Sequence, residues 1–207
     1  MEQSVWEIII GVFLGVALGS CCGFRVFIPM LVASIAIHAG YITVNENFMW
    51  LGSTIALIIF GVASLLEVLA YYIPAVDNML DVIGTPMSVI AGTLLGASFI
   101  TDMSPIMQWS LAAVVAGGGA AVIHSGMATI RAATTATTAG LGNSLVSTVE
   151  AAMATLVPLL SIALPIVAVL VITAVLVGLC LVVSKIRRKM KEKTTGFVTP
   201  TNPSFTN

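Results

Sequence analysis

The chain has 207 residues, of which 58% are hydrophobic and 8% charged, and its formal net charge is −1. A soluble domain carries about 25% charged residues, so this chain lacks the polar surface to face water on every side. Its long continuous apolar runs also argue against the short alternating strands of a transmembrane barrel. What remains is an all-α, polytopic membrane bundle whose main partner is the lipid bilayer.

The charges are unevenly placed. Six of the eight basic residues fall between Lys185 and Lys193. Basic flanks stay on the cytoplasmic side, so the C-terminus is expected there, and the same cluster can touch anionic lipid. Residues 1–184 read as a membrane domain, and 185–207 as a basic and then disordered cytoplasmic tail. The three cysteines form neither a disulfide framework nor a metal-ligand spacing. The acidic N-terminus lacks the basic start of a signal peptide.

In chain order, a first span is expected over Val5 to Cys22. Gly11, Gly15, Gly19 and Gly23 recur every fourth residue and give one glycine face for close helix packing. That face is also a candidate homo-oligomer contact. Arg25 follows, then a second span from Val26 to Ile42 with Pro29 in its first turn. A third span from Trp50 to Tyr72 carries Glu67 late in its length, and Pro74 ends it. Asp77 and Asp81 then share one face of a short helix.

Thr85-Pro86 reads as a cap followed by proline, opening a fourth span to Ile100. Ser104-Pro105 repeats the pattern and opens a fifth, Ile106 to Ile130. Next comes a polar stretch: His124, Arg131, the threonines between Thr134 and Thr138, then Gly140, Gly142 and Asn143. It predicts a re-entrant or unwound segment near 134–143. Ser147 to Glu150 fits a capping box. From Ala151 to Ser184 no residue is charged. Pro158 and Pro165 divide this run into a lead-in and a sixth span, Leu164 to Val183.

Six spans and a cytoplasmic C-terminus put the N-terminus in the cytoplasm as well. Arg25, Glu67, Asp77, Asp81, His124, Arg131 and Glu150 then gather on the outer side, with Asn143 beside them. Polar groups at membrane depth are costly and face a protein interior or a watery path.

These residues resemble a bacterial membrane family catalogued as domain of unknown function 4126. The matching pieces are Gly23-Phe24-Arg25 with Pro29, Trp50-Leu51-Gly52-Ser53-Thr54, Leu66-Glu67 with Ile73-Pro74 and Asp77, Asp81, Ala91-Gly92, His124 with Arg131, and Thr134 to Thr138 with Gly140-Leu141-Gly142-Asn143. The family commonly has Gly-Asn-Pro where this chain has Gly142-Asn143-Ser144, and a second acid where Ala151 follows Glu150. The resemblance implies a multi-span membrane protein, expected in the bacterial cytoplasmic membrane, and no assigned activity.

The carboxylates suit proton or cation handling, and the arginines suit an anion or the control of a neighbouring acid. The expected function is an ion or small-solute transporter or channel, with proton coupling as one form. The alternative is a structural or accessory subunit whose ion pairs fix helix register. No hydrolase, nucleotide-binding or metalloprotease motif is present, so no enzyme and no cofactor is expected, with an intramembrane lipid enzyme as the exception to test. A metal is unassigned, and nothing supports nucleic-acid binding.

Overall fold

The computed structural model describes residues 5–71, 73–138 and 142–195, without the side chains of residues 74, 75, 77, 78 and 189–195. Gly140 therefore lies outside the described residues, as does the side chain of Asp77. Every regular element described is helical. The long helices are α1 (Val5–Cys21), α2 (Phe27–His38), α3 (Thr54–Ala70), α4 (Pro74–Phe99), α5 (Pro105–Thr138), α6 (Asn143–Ala163) and α7 (Pro165–Thr195). A 3-10 segment, Glu46–Gly52, precedes α3 at a bend of 60°. By length and composition, α4 to α7 are each able to cross a membrane, and α3 with the 3-10 segment makes a fifth candidate. Helices α1 and α2 are shorter apolar helices. The protein is a helical membrane bundle.

Its surface is the reverse of a soluble protein's. Ile55, Ile58, Ile59, Val62, Leu65 and Leu69 on α3 all point outward, while Arg25, His124, Arg131 and Glu150 are buried. Apolar outside and polar within is the arrangement that suits lipid as solvent.

The glycine face of α1 fixes the interior. Gly11 faces the carbonyl of Phe99, Gly15 that of Gly96, Gly19 that of Gly92, and Gly23 that of Ala120. A Cβ on Gly11 or Gly15 would come within 2.6 Å of the facing oxygen, and nearer still on Gly19 and Gly23. The face expected for packing is thus filled by α4 and α5 of the same chain, which leaves it closed to a second copy.

These contacts also set direction. Early α1 meets late α4, so the two run antiparallel. Gly19 and Gly23 meet Ala116 and Ala120, so α1 and α5 run parallel. Glu150, early in α6, meets Arg131, late in α5. Helix α7 returns: Leu179 touches Gly126, and Arg187 shares a groove with Thr129. The chain traverses the bundle seven times, with α2 the shortest pass. Among the described residues, the start of α1 and the basic end of α7 lie at opposite ends of the bundle.

Three expectations are corrected here. Thr85-Pro86 opens no helix, because Pro86 lies inside α4. Pro158 likewise lies inside α6, and the break falls at Leu164-Pro165, which makes the expected lead-in a full helix. Finally, Thr134–Thr138 is helical rather than unwound. The threonine hydroxyls donate to carbonyls three or four residues back, as Thr135 does to Arg131 and Thr138 to Thr134, which hides polar groups without breaking the helix.

Gly19→Ala places a methyl group against the Gly92 carbonyl and is expected to cost about 1–3 kcal/mol. Gly178→Ala, where nothing lies within 4 Å, is expected to leave stability unchanged. Unfolding midpoints in detergent check the pair.

Candidate functional site

Helix α1 ends at Cys21, and the amides of Cys22, Gly23 and Phe24 turn back onto the carbonyls of Gly19, Ser20 and Cys21. This corner puts Arg25 between two helices and leaves the first amides of α2 without intrahelical partners. Glu67, from the end of α3, supplies them. One carboxylate oxygen accepts from Val26 N at 2.7 Å and the other from Phe27 N at 3.0 Å. A carboxylate at that position also meets the positive end of the helix dipole. Glu67 is therefore a cap delivered from 40 residues away.

Arg25 is buried, and its guanidinium carbon lies 3.6 Å from the centre of the Tyr71 ring. Its Nη2 donates to the Ser147 carbonyl at 3.2 Å and sits 3.5 Å from Glu150 Oε2. Arg131 completes the set. Its Nη1 donates to Glu150 Oε1, while Nη2 and Nε donate to the two oxygens of Asp81, the latter at 3.3 Å. Glu150 is wholly buried between the two arginines. Asp81 faces Arg131 as a two-point pair and is the most accessible of the three acids, with 19% of its side chain exposed. The Tyr71 ring lies beside both guanidinium groups, 5.0 Å from that of Arg131.

His124, two turns before Arg131, lies against the α4 backbone at Gly84. Any larger residue at position 84 would drive a Cβ into the imidazole. Asn143 joins the end of α5 to the start of α6: Thr134 Oγ1 donates to its Oδ1 at 2.6 Å, and its Nδ2 donates to Thr135 Oγ1 at 2.8 Å.

The structure thus brings together Arg25, Glu67, Asp81, His124, Arg131 and Glu150. Asn143 sits at the same end of the bundle, bonded to Thr134 and Thr135. The described side chains do not include that of Asp77. Ser147 to Glu150 is not a helix start, because α6 begins four residues earlier at Asn143. Position Ser147 instead offers its carbonyl to Arg25. Tyr71 is not among the site residues that the sequence singles out. Its place two residues from the helix-ending Ile73-Pro74 gave no sign that two arginines would share its ring.

Arg131 on α5 lies at the same end of the bundle as Arg187 on α7, because Thr129 and Arg187 line one groove. Arg25 and the whole basic run of α7 are there too. The opposite end carries Glu7, Glu46 and Asp102. Among the described side chains, Arg25, Arg131, Lys185, Arg187 and Arg188 therefore belong to one end of the bundle.

Among the described residues, no group of three or more His, Cys, Asp or Glu side chains is placed to hold a metal ion.

Removing one partner of a buried ion pair strands the other, at about 3–5 kcal/mol. Arg131→Met removes the charged partner of Asp81 and one of the two arginines on Glu150, and is expected to lower stability by about that amount. Arg131→Met with Glu150→Leu is expected to recover part of the loss. Detergent unfolding of the two variants and the native chain checks this coupling.

No curated protein and no solved structure matches this chain. The family described as Domain of unknown function (DUF4126) matches residues 12–185. That span carries Gly15, Gly19 and Gly23 of the glycine face, the capped corner and every residue of the ion cluster, and the chain belongs to this family.

Proposed function

We propose that this protein moves an ion or small solute across the membrane and that the movement is linked to a proton exchanged at Asp81. The observation that carries this reading is a charge imbalance. Among the described side chains, three carboxylates (Glu67, Asp81, Glu150) face two guanidinium groups (Arg25, Arg131). An uncompensated charge in a dry interior is expensive, so the excess acid is expected to take up a proton or a cation.

Asp81 is the acid best suited to that task. Glu67 is tied to two backbone amides, and Glu150 is shared by two arginines. Asp81 has Arg131 as its charged partner and is partly accessible. Protonating it releases Nε and Nη2 of Arg131, the side that can then meet an entering anion, while Nη1 stays on Glu150. At the far end of the bundle, a cavity of about 530 Å3 is bordered by Glu7, Thr43 and Thr101. It is suited to admit solute from the other side.

In this reading the cluster end faces the cytoplasm, because the described Lys and Arg side chains are there. The N-terminal end then faces outward. No enzymatic role is part of the proposal.

A second reading has its own support. The three acids are all engaged by groups from other helices or from the corner, as expected of a register-fixing network in a structural subunit. Proton flux into liposomes loaded with a pH-sensitive dye separates the two. The native chain is expected to exceed empty liposomes, Asp81→Asn to fall to their level, and lipid-facing Ile55→Ala to match the native chain. Flux that never exceeds empty liposomes would favour the structural role. Orientation has a separate check in a chain with Cys180→Ser. A membrane-impermeant thiol reagent is expected to label Glu7→Cys on intact cells, and Lys185→Cys only after permeabilisation.

A further inference from the structure

We propose that the groove between α5 and α7 binds one anionic phospholipid. Its phosphate rests on Arg187, and the upper part of one acyl chain lies along Val122, Gly126, Leu179 and Val183. The groove encloses about 280 Å3 and extends from Ala121 to Thr129 on α5. Eight residues of helix rise about 12 Å, close to the depth of one leaflet of a ~30 Å hydrocarbon core. The trench is therefore of acyl-chain dimension.

Gly126 keeps its floor low. A Cβ there would already stand 3.4 Å from Leu179, in ordinary contact, so any longer side chain would enter the trench. Val122 and Leu179 give a chain the apolar contact it has in the bilayer. At one end the apolar wall gives way to Arg187, which is exposed. Lys185 and Arg188 flank it on the same helix. A guanidinium fork matches phosphate oxygens in two-point contact, and no acidic residue lines the groove. Free phosphate gains nothing from the trench, and a zwitterionic lipid gains less from three neighbouring cations. The pairing of trench and cation selects a phospholipid with net negative charge. This binding is independent of proton exchange at Asp81.

Native mass spectrometry of the full chain, titrated with phosphatidylglycerol and with phosphatidylcholine, tests the site. The native chain is expected to retain one phosphatidylglycerol in preference to phosphatidylcholine. Arg187→Ala is expected to weaken that binding about fivefold, the effect of one basic residue at the membrane surface. Val122→Trp, which fills the trench from a position 44% exposed, is expected to weaken it as well. Arg188→Ala, outside the groove, is expected to have a smaller effect than Arg187→Ala. Unfolding midpoints equal to the native value confirm that the variants are folded. Equal losses in Arg187→Ala and Arg188→Ala would reduce the binding to diffuse tail charge and overturn the site. So would native affinity in Val122→Trp, or equal retention of the two lipids.

Discussion

A single buried carboxylate, that of Glu150, joins the two arginines on which this bundle turns. Arg25 reaches it from the corner between α1 and α2, and Arg131 reaches it from α5. None of the three is viable alone at membrane depth, because an isolated ion there is too costly. Together they compel three parts of the chain to meet at one point. Such a network adds little net stability against an apolar replacement, but losing one member strands the others. Its value is in register: α6 can slide along α5 only by breaking the contact.

The remaining packing follows from that anchor. Tyr71 covers both guanidinium groups, which ties the end of α3 to the site. Glu67, one turn earlier, caps α2 and so fixes the corner that carries Arg25. The glycines of α1 let it approach α4 and α5 backbone to backbone. This close approach brings Asp81 and His124 to the level of the corner. Polar groups collect at one end of the bundle because the helices that bear them meet there, and the basic end of α7 arrives at that end as well.

Much of this was legible in the sequence. Composition and unbroken apolar runs give a helical membrane protein. The four-residue glycine period gives a close-packing face, and the cost of charge in lipid predicts that Arg25, Glu67, Asp81, Arg131 and Glu150 meet. The number of passes was not legible. Pro86 and Pro158 look like boundaries, yet both lie inside helices, since neighbouring helices and water satisfy the freed backbone groups of a membrane helix. The break at Leu164-Pro165 was legible, but the stretch before it reads as a lead-in because Pro158 looks like a second boundary, whereas it is one helix from Asn143 to Ala163. The threonine stretch misled for a related reason: hydroxyls that look like helix breakers in water bond to their own helix instead. Tyr71 was missed because a tyrosine near a membrane boundary already has a sufficient explanation.

The excess of acid over guanidinium in the cluster is the central claim, and infrared spectroscopy of the carboxyl stretch addresses it directly. In native protein titrated over pH, a protonated-carboxyl band is expected to appear and disappear reversibly, and to be absent from Asp81→Asn. A titrating band that survives unchanged in Asp81→Asn, or the absence of any protonated-carboxyl band at any pH at which the protein stays folded, would contradict it.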